Sequence, residues 1–173
     1  MAKELYTRTN QKVFFAGLAL EAWRKAEAGN PFNALAVVQA EREAALFHLY
    51  GALLGLCHEV AGYYRTSTQN AARVEAIICR EALDSAPSPE LAELVELAEH
   101  PQSWLSELLT AYAALFQPPK APAKPKTDPR VPVIEVVAVE EAGDIGPSLD
   151  DIERWRASLK ELALRFRQSM TEW

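Results

Sequence analysis

Apolar residues recur along most of the chain at spacings of three and four, the period of amphipathic helices. The pattern predicts a first helix over residues 4–28, with Leu5, Leu20 and Trp23 in its apolar stripe. The Gly-Asn-Pro sequence at 29–31 ends it, because glycine suits a left-handed C-terminal position and proline cannot continue a helix. The chain therefore begins with a long helix that faces a core.

A second helix is predicted from about Phe32 or Asn33 to about Tyr64, with glycines at 51, 55 and 62. It is apolar around much of its circumference, which indicates the central helix of a bundle. The glycines leave a strip without side chains and predict a close helix crossing or a bend. Its predicted seam consists of Leu35, Val38, Ala45, Leu49, Leu53, Leu56, Val60 and Tyr63.

Residues 44–64 of this helix contain no Lys, Arg or Asp and are long enough to cross a bilayer. They also contain His48, His58 and Glu59. A charged residue near the centre of a spanning helix costs about 3 kcal/mol on insertion scales. A buried core helix is therefore predicted here, and no membrane span.

The next stretch predicts shorter helices. A third helix is expected from a Thr-Ser-Thr cap at 66–68 to about Leu83, and a fourth from Ser88 or Pro89. The His-Pro sequence at 100–101 breaks the fourth helix, so residues 104–116 form a separately angled fifth. The predicted fold is all-α, a four- to five-helix bundle over residues 4–116.

After the bundle the composition changes. Residues 117–132 contain six prolines interleaved with three lysines, which predicts an extended linker of polyproline geometry. Residues 133–140 form a β-branched run typical of a short extended segment. Residues 148–170 predict a C-terminal amphipathic helix that Ser148 caps.

Two features of this tail predict partner binding. A lone strand leaves its backbone hydrogen-bonding groups unpaired unless a second strand, a protein surface or water satisfies them. The tethered helix carries an apolar stripe that would pack either on its own bundle or on a partner, and the sequence leaves both open. Two copies of the strand could also pair in a homodimer. The predicted partner-binding residues are Val133, Ile134, Val136, Val137 and Val139 in the strand and Ile152, Trp155, Leu159, Leu162 and Phe166 in the helix.

Charge and cysteine content narrow the function classes. Lys and Arg total 18 against 24 for Asp and Glu, a net charge of −6. Nucleic-acid binding is disfavoured, because it needs a clustered basic surface; the basic residues of the last helix, with Arg165 and Arg167 near its end, are a local exception. Cys57 and Cys79 have no redox or zinc spacing and are expected to be free.

The charged N-terminus does not suggest a signal peptide, so a cytoplasmic location is expected.

The sequence lacks the catalytic motifs that are common in helical enzymes. Di-iron bundles need Glu three residues before His, but Ala45, Gly55 and Leu97 stand there. Phosphate-binding glycine loops and nucleophile elbows are also missing. No cofactor or metal is predicted. His58 and Glu59, with the tyrosines that follow, are interpreted as a buried hydrogen-bonding cluster that fixes helix register.

One pair of residues suggests an enzymatic alternative. Arg42 and His48 have the Arg-x5-His spacing that resembles the motif of HEPN domains, which are helical ribonucleases. The resemblance implies that Arg42 and His48 would bind and cleave an RNA phosphodiester. The structural alternative is that Arg42 pairs with a carboxylate while His48 is a core histidine.

The run from Leu5 to Lys12, with Phe14 and Leu18 after it, resembles the start of a family of short, uncharacterised all-helical bacterial proteins. The resemblance covers most of residues 1–116 and implies no activity or site. Combining these observations, we expect a non-enzymatic protein-protein interaction or adaptor module, with the ribonuclease as the alternative.

Overall fold

The computed structural model describes residues 2–29, 32–118 and 146–171. Within these ranges it contains helices and turns but no strand, which confirms the predicted all-α bundle. Most of the predicted linker and the whole predicted strand, including Val133–Val139, lie outside the described residues. The helices are α1 (Ala2–Gly29), α2 (Ala34–Tyr63), α3 (Arg80–Ser85), α4 (Pro89–Glu99), α5 (Trp104–Ala114) and α6 (Leu149–Thr171).

Helices α1 and α2 form a long antiparallel hairpin, the largest contact between elements of the described fold. The helices meet along the predicted glycine strip. A Cβ atom on Gly55 would lie 2.6 Å from Thr9 Oγ1, and one on Gly51 would lie 3.3 Å from the side chain of Lys12. The predicted close crossing is therefore confirmed, and the sequence feature that produces it is the absence of side chains on one face of α2.

Helix α2 ends in a left-handed turn. Arg65 has φ 51°, and the N–H groups of Arg65 and Thr66 donate to the carbonyls of Gly62 and Ala61 at 3.2 and 2.9 Å. This is the Schellman arrangement, with arginine at the position that glycine usually occupies.

The predicted third helix over 66–83 is wrong. The structure has turns, one 3-10 turn over Val74–Ala76 and the short helix α3 instead. Tertiary contacts override the helical pattern here, because Val74 is fully buried and its N–H donates to the hydroxyl of Tyr50 at 3.1 Å. His58 Nε2 is also 2.8 Å from the carbonyl of Ala71. The irregular segment is thus fastened to α2 at two points.

Helices α4 and α5 start where the sequence predicts, and α5 ends at Ala114, two residues before its predicted end. The hydroxyls of Ser88 and Ser103 accept from the N–H groups of Leu91 and Ser106, so both helices have side-chain caps. Helix α4 ends at Glu99, directly before the His-Pro sequence.

Helix α6 packs on its own bundle. It runs antiparallel to α1, with Glu153 beside Arg24 at one end and Arg167 beside Asn10 at the other. Trp155, Leu159 and Phe166 are 4%, 0% and 2% exposed and share one core with α1 and α2. The sequence leaves open whether this helix packs on its own bundle or on a partner, and the structure shows it packed on its own bundle.

Helix α2 is long and apolar enough to cross a membrane by length and composition alone, but 67% of its most apolar window is buried inside the described bundle. Its predicted seam is correct in the middle, where Leu49, Leu53 and Leu56 have no exposed surface. Its ends differ from the prediction, because Leu35 is 85% exposed and Tyr63 is 43% exposed.

Candidate interaction surface

A buried carboxylate connects three helices. Glu59 on α2 has a fully buried side chain, and Arg167 on α6 donates to both its oxygens, each at 2.8 Å. Thr9 on α1 donates to the same carboxylate at 2.5 Å. The remaining guanidinium nitrogen of Arg167 donates to Asn10 at 2.9 Å, and the group lies 4.8 Å from the ring centre of Tyr6. With every charge paired, this cluster holds α6 on the hairpin.

A second buried carboxylate joins α4 to the ends of α2 and α6. Glu90 is 4% exposed and accepts from Tyr64 at 2.8 Å and from Ser169 at 2.6 Å. Burial and the adjacent carboxylate raise the pKa of Tyr64 to about 12. Of the predicted cluster, His58, Glu59 and Tyr64 form hydrogen bonds, but with other elements and not with one another. The ring of Tyr63 meets that of Tyr64 edge-on at 5.0 Å.

The partner-binding residues predicted on the last helix are all buried. Ile152, Trp155, Leu159, Leu162 and Phe166 are between 0% and 4% exposed, and the indole N–H of Trp155 donates to Glu107 at 3.1 Å. They complete the core of this chain, so a partner cannot reach them while the bundle is closed. The other predicted set, Val133–Val139, lies outside the described residues.

The structure does not bring Arg42 and His48 together. Six residues along a helix correspond to about 9 Å of rise and about 240° of rotation, so the two side chains leave α2 in different directions. Arg42 lies over the ring of Trp23 at 4.8 Å, whereas His48 meets the edge of Phe15 at 5.4 Å. Burial, with the charges of Lys12 and Arg8, lowers the pKa of His48.

The two cysteines do not form a reactive site. Cys57 is buried and Cys79 is half-buried, and both are free thiols, as predicted. Burial raises the pKa of the Cys57 thiol, which makes it a poor nucleophile. Among residues 2–29, 32–118 and 146–171, no group of three or more His, Cys, Asp or Glu side chains is arranged to hold a metal ion.

Four aromatic side chains form a continuous surface between α2 and α5, which we call the aromatic patch: Phe47, Tyr50, Tyr112 and Phe116. Tyr50 stacks on Tyr112 with ring centres 3.9 Å apart and planes 7° apart. Phe47 meets Tyr112 edge-on at 5.5 Å and Phe116 at 6.0 Å. Phe116 is 65% exposed and Phe47 is 44% exposed, so the outer half of the patch faces solvent.

The inner half of the patch is fixed by hydrogen bonds. The hydroxyl of Tyr50 donates to Glu75 at 2.9 Å and accepts from the N–H of Val74 at 3.1 Å. Burial, together with Glu75, raises the pKa of Tyr50 to about 12, and the same causes raise the pKa of Tyr112. The exposed rings of Phe47 and Phe116 therefore pack against tyrosines that hydrogen bonds and stacking hold in place, with the carboxylate of Glu75 beside them.

Exposed apolar side chains occur elsewhere in smaller groups, among them Tyr63 and Tyr64, whose rings meet edge-on at 5.0 Å. Phe32 and Leu35, at the tip of the hairpin, are 109% and 85% exposed and have no ring contact. Phe14 and Leu18 line a shallow groove of about 340 Å³ between α1 and α6, which Arg156 partly fills. Among the described residues, the aromatic patch is the largest group of contacting rings that is partly exposed.

The aromatic patch was not predicted from the sequence. Phe47 flanks the predicted seam of α2. Tyr112 lies in the last turn of α5 and Phe116 lies two residues beyond its end, so the two are four residues apart, the spacing at which helical side chains meet. That pair of aromatic residues was the available signal. Nothing in the pattern indicated that α5 would present them to Phe47.

Fold and surface together define the class of this protein: a helical bundle closed by its own C-terminal helix, with a rigid aromatic surface on one side. The chain belongs to a family of unknown function, DUF6586, whose model matches residues 1–173. The resemblance to an uncharacterised family of all-helical proteins is thereby confirmed, and it extends over the whole chain. No curated protein and no solved structure matches the chain.

Proposed function

We propose that this protein is a non-enzymatic interaction module and that the aromatic patch is a surface with which it binds another protein. The observation that carries the proposal is the exposure of Phe47 and Phe116, which keep 44% and 65% of their surface in water although the molecule buries comparable side chains elsewhere. Ordered aromatic residues in water are typical of binding surfaces, where they act as anchors.

The rings are suited to binding because they are already ordered. Each exposed phenylalanine contacts a neighbouring ring, and the tyrosine base is held by Glu75 and Val74. Side chains fixed before binding lose little conformational entropy when a partner covers them. A partner would therefore gain most of the free energy of burying these rings.

Residues 133–139 would form a second interaction surface, separate from the aromatic patch. Pairing of Val133–Val139 with another protein, or with a second copy in a homodimer, remains a prediction of the sequence. It would supply a second contact surface, as an adaptor requires. The cytoplasmic location also remains an expectation.

A comparison of surface variants tests the proposal. Full-length wild type, a Phe47→Ser/Phe116→Ser double variant and a Leu164→Ser control would be immobilised, and the proteins each retains from a lysate of the source cells would be quantified. Leu164 is a matched control, because it is 52% exposed and lies on α6, away from the patch. We expect specific partners to be lost from the double variant and kept by the control.

Circular dichroism would first establish that all three proteins are folded. Identical partner sets for wild type and the double variant would refute the proposal. Loss of the same partners from the Leu164→Ser control would also refute it, since any exposed apolar residue would then have the same effect.

The ribonuclease alternative has less support, because Arg42 and His48 contact different residues of α1. It requires RNA cleavage that a His48→Ala variant loses while it stays folded. Equal activity, or none, in both proteins would remove it.

A further inference from the structure

We infer that the aromatic patch binds a proline-rich peptide that carries lysine or arginine. The inference rests on the proposed function and specifies its ligand. It follows from the ring geometry, from the size of the patch and from the charges at its edges.

The ring planes are close to perpendicular where the patch is exposed. Phe47 makes angles of 86° with Tyr112 and 88° with Phe116, and Tyr112 makes 73° with Phe116. The exposed parts of these rings therefore present flat apolar faces in more than one orientation. Flat aromatic faces are the surfaces on which the rings of polyproline segments pack in known proline-rich recognition.

The patch is also small, which restricts the ligand. It consists of four rings, and Tyr50 is only 8% exposed, so a ligand has about three rings to contact. A flexible peptide would lose more entropy on binding than so few contacts return. A polyproline helix is ordered before it binds, so it avoids most of that loss.

Carboxylates flank the rings and determine the charge of the ligand. Glu75 is exposed and bonds to Tyr50, and Glu43 precedes Phe47 by one helical turn and so lies on the same side of α2. Glu75 raises the pKa of Tyr112 by more than the positive charge of Arg73 lowers it. The surroundings therefore favour a peptide with positive charge.

The sequence of this chain contains a peptide of that chemistry. Residues 117–132 carry Pro118, Pro119, Pro122, Pro125, Pro129 and Pro132 with Lys120, Lys124, Lys126 and Arg130. A synthetic peptide with this sequence is a suitable probe. The proposed occupant is such a peptide presented by another molecule.

The test is a titration of the labelled 117–132 peptide, followed by fluorescence anisotropy. The receptor is the full chain with its own six prolines at 118–132 replaced by serine, so that its own copy does not compete. We expect saturable binding, weakened about tenfold by Phe47→Ser and about threefold by Glu75→Gln, with no change in Leu164→Ser. A peptide with alanine in place of every proline should bind at least about tenfold more weakly.

Three outcomes would overturn the inference: no binding up to about 1 mM, binding that Phe47→Ser does not alter, or equal binding of the alanine peptide, which would indicate charge attraction alone. If partners depend on the patch in the lysate experiment but the peptide does not bind, the patch is an interaction surface whose ligand is not a proline-rich peptide. Weaker binding to the unmodified chain than to the proline-free receptor supports the inference, because it shows that the chain's own segment competes for the rings.

Discussion

Glu59 and Arg167 form the most buried ion pair among the described residues, and it joins α6 to α2. The Glu59 side chain is fully buried and the Arg167 side chain is 15% exposed, so both charges are largely removed from water and each depends on the other. Removal of one partner of a buried pair leaves an uncompensated charge, which costs more than the pair contributes.

Arg167→Met should therefore lower the free energy of unfolding by about 3 kcal/mol, because Glu59 would remain buried without its partner. The matched control is Arg165→Met, two residues earlier on α6, whose pair with Glu93 is 56% and 33% exposed. The control should cost less than about 1 kcal/mol. Urea unfolding of both variants measures the difference, and equal losses would contradict the structural role assigned to Glu59.

The glycine strip gives a second pair of matched variants. In an exposed helix, Gly→Ala usually stabilises by about 1 kcal/mol. At Gly62 the new methyl would have room, 3.7 Å from Leu5, so Gly62→Ala should stabilise. At Gly55 it would lie 2.6 Å from Thr9 Oγ1 and 3.4 Å from the Thr9 backbone.

Gly55→Ala should therefore destabilise by about 1–3 kcal/mol, the range for overpacked sites. It would also disturb the hydrogen bond from Thr9 to Glu59. Thermal unfolding of the two alanine variants beside wild type measures both effects. The close crossing would be contradicted if both substitutions raised the melting temperature.

The environment of His48 predicts a pH dependence. Burial and nearby cations lower its pKa in the folded protein, so the unfolded chain takes up the proton first as pH falls. The corresponding stability is fully present above the unfolded value of about 6.5 and is lost as pH decreases through the folded value. Unfolding free energies measured from pH 7 to pH 5 should therefore fall less steeply in His48→Gln than in wild type. Parallel curves would exclude this contribution.

At the scale of elements, α6 determines whether the bundle is complete. Its buried residues share one core with α1 and α2, and it contacts α5 as well. A chain without α6 would expose that core to water.

A truncation after residue 145 should therefore lose cooperative thermal unfolding and bind a hydrophobic dye. A synthetic peptide of residues 146–171 should restore both properties when added in trans, since its contacts do not depend on the connection. Circular dichroism and dye fluorescence follow the change. Cooperative unfolding of the truncated chain alone would show that α6 is an appendage. For the same reason, truncation is a poor test of partner binding.

Much of this architecture could be predicted from sequence because local patterns determine it. The stripe of α6, the break before Pro101 and the glycine strip each depend on residues close in the chain. The segment after α2 could not be predicted, since its course depends on the distant anchors Tyr50 and His58. The aromatic patch was missed for a similar reason, because it forms only when α5 meets α2.

At the scale of the whole molecule, the described residues on either side of the connection 119–145 both lie beside α2. Phe116 packs on Phe47, and a Cβ atom on Gly146 would lie 2.8 Å from the guanidinium of Arg42. Arg42 and Phe47 are five residues apart on α2, which corresponds to about 7.5 Å of helix rise. The connection is therefore far longer than the distance requires.

Replacement of residues 119–145 by about ten glycine and serine residues should leave the fold intact. The shorter connection lowers the entropic cost of loop closure by about 0.9 kcal/mol, so the melting temperature should stay equal or rise slightly. Thermal unfolding measures this. A large fall would show that residues 119–145 contribute contacts to the bundle.

The hydrogen bonds that hold α6 would persist in a protein cleaved within residues 119–145. Glu59 and Glu107 precede this connection in the sequence, whereas their donors Arg167 and Trp155 follow it. One cleaved peptide bond between residues 119 and 145 would yield two polypeptides that still migrate together under native conditions and part only in denaturant.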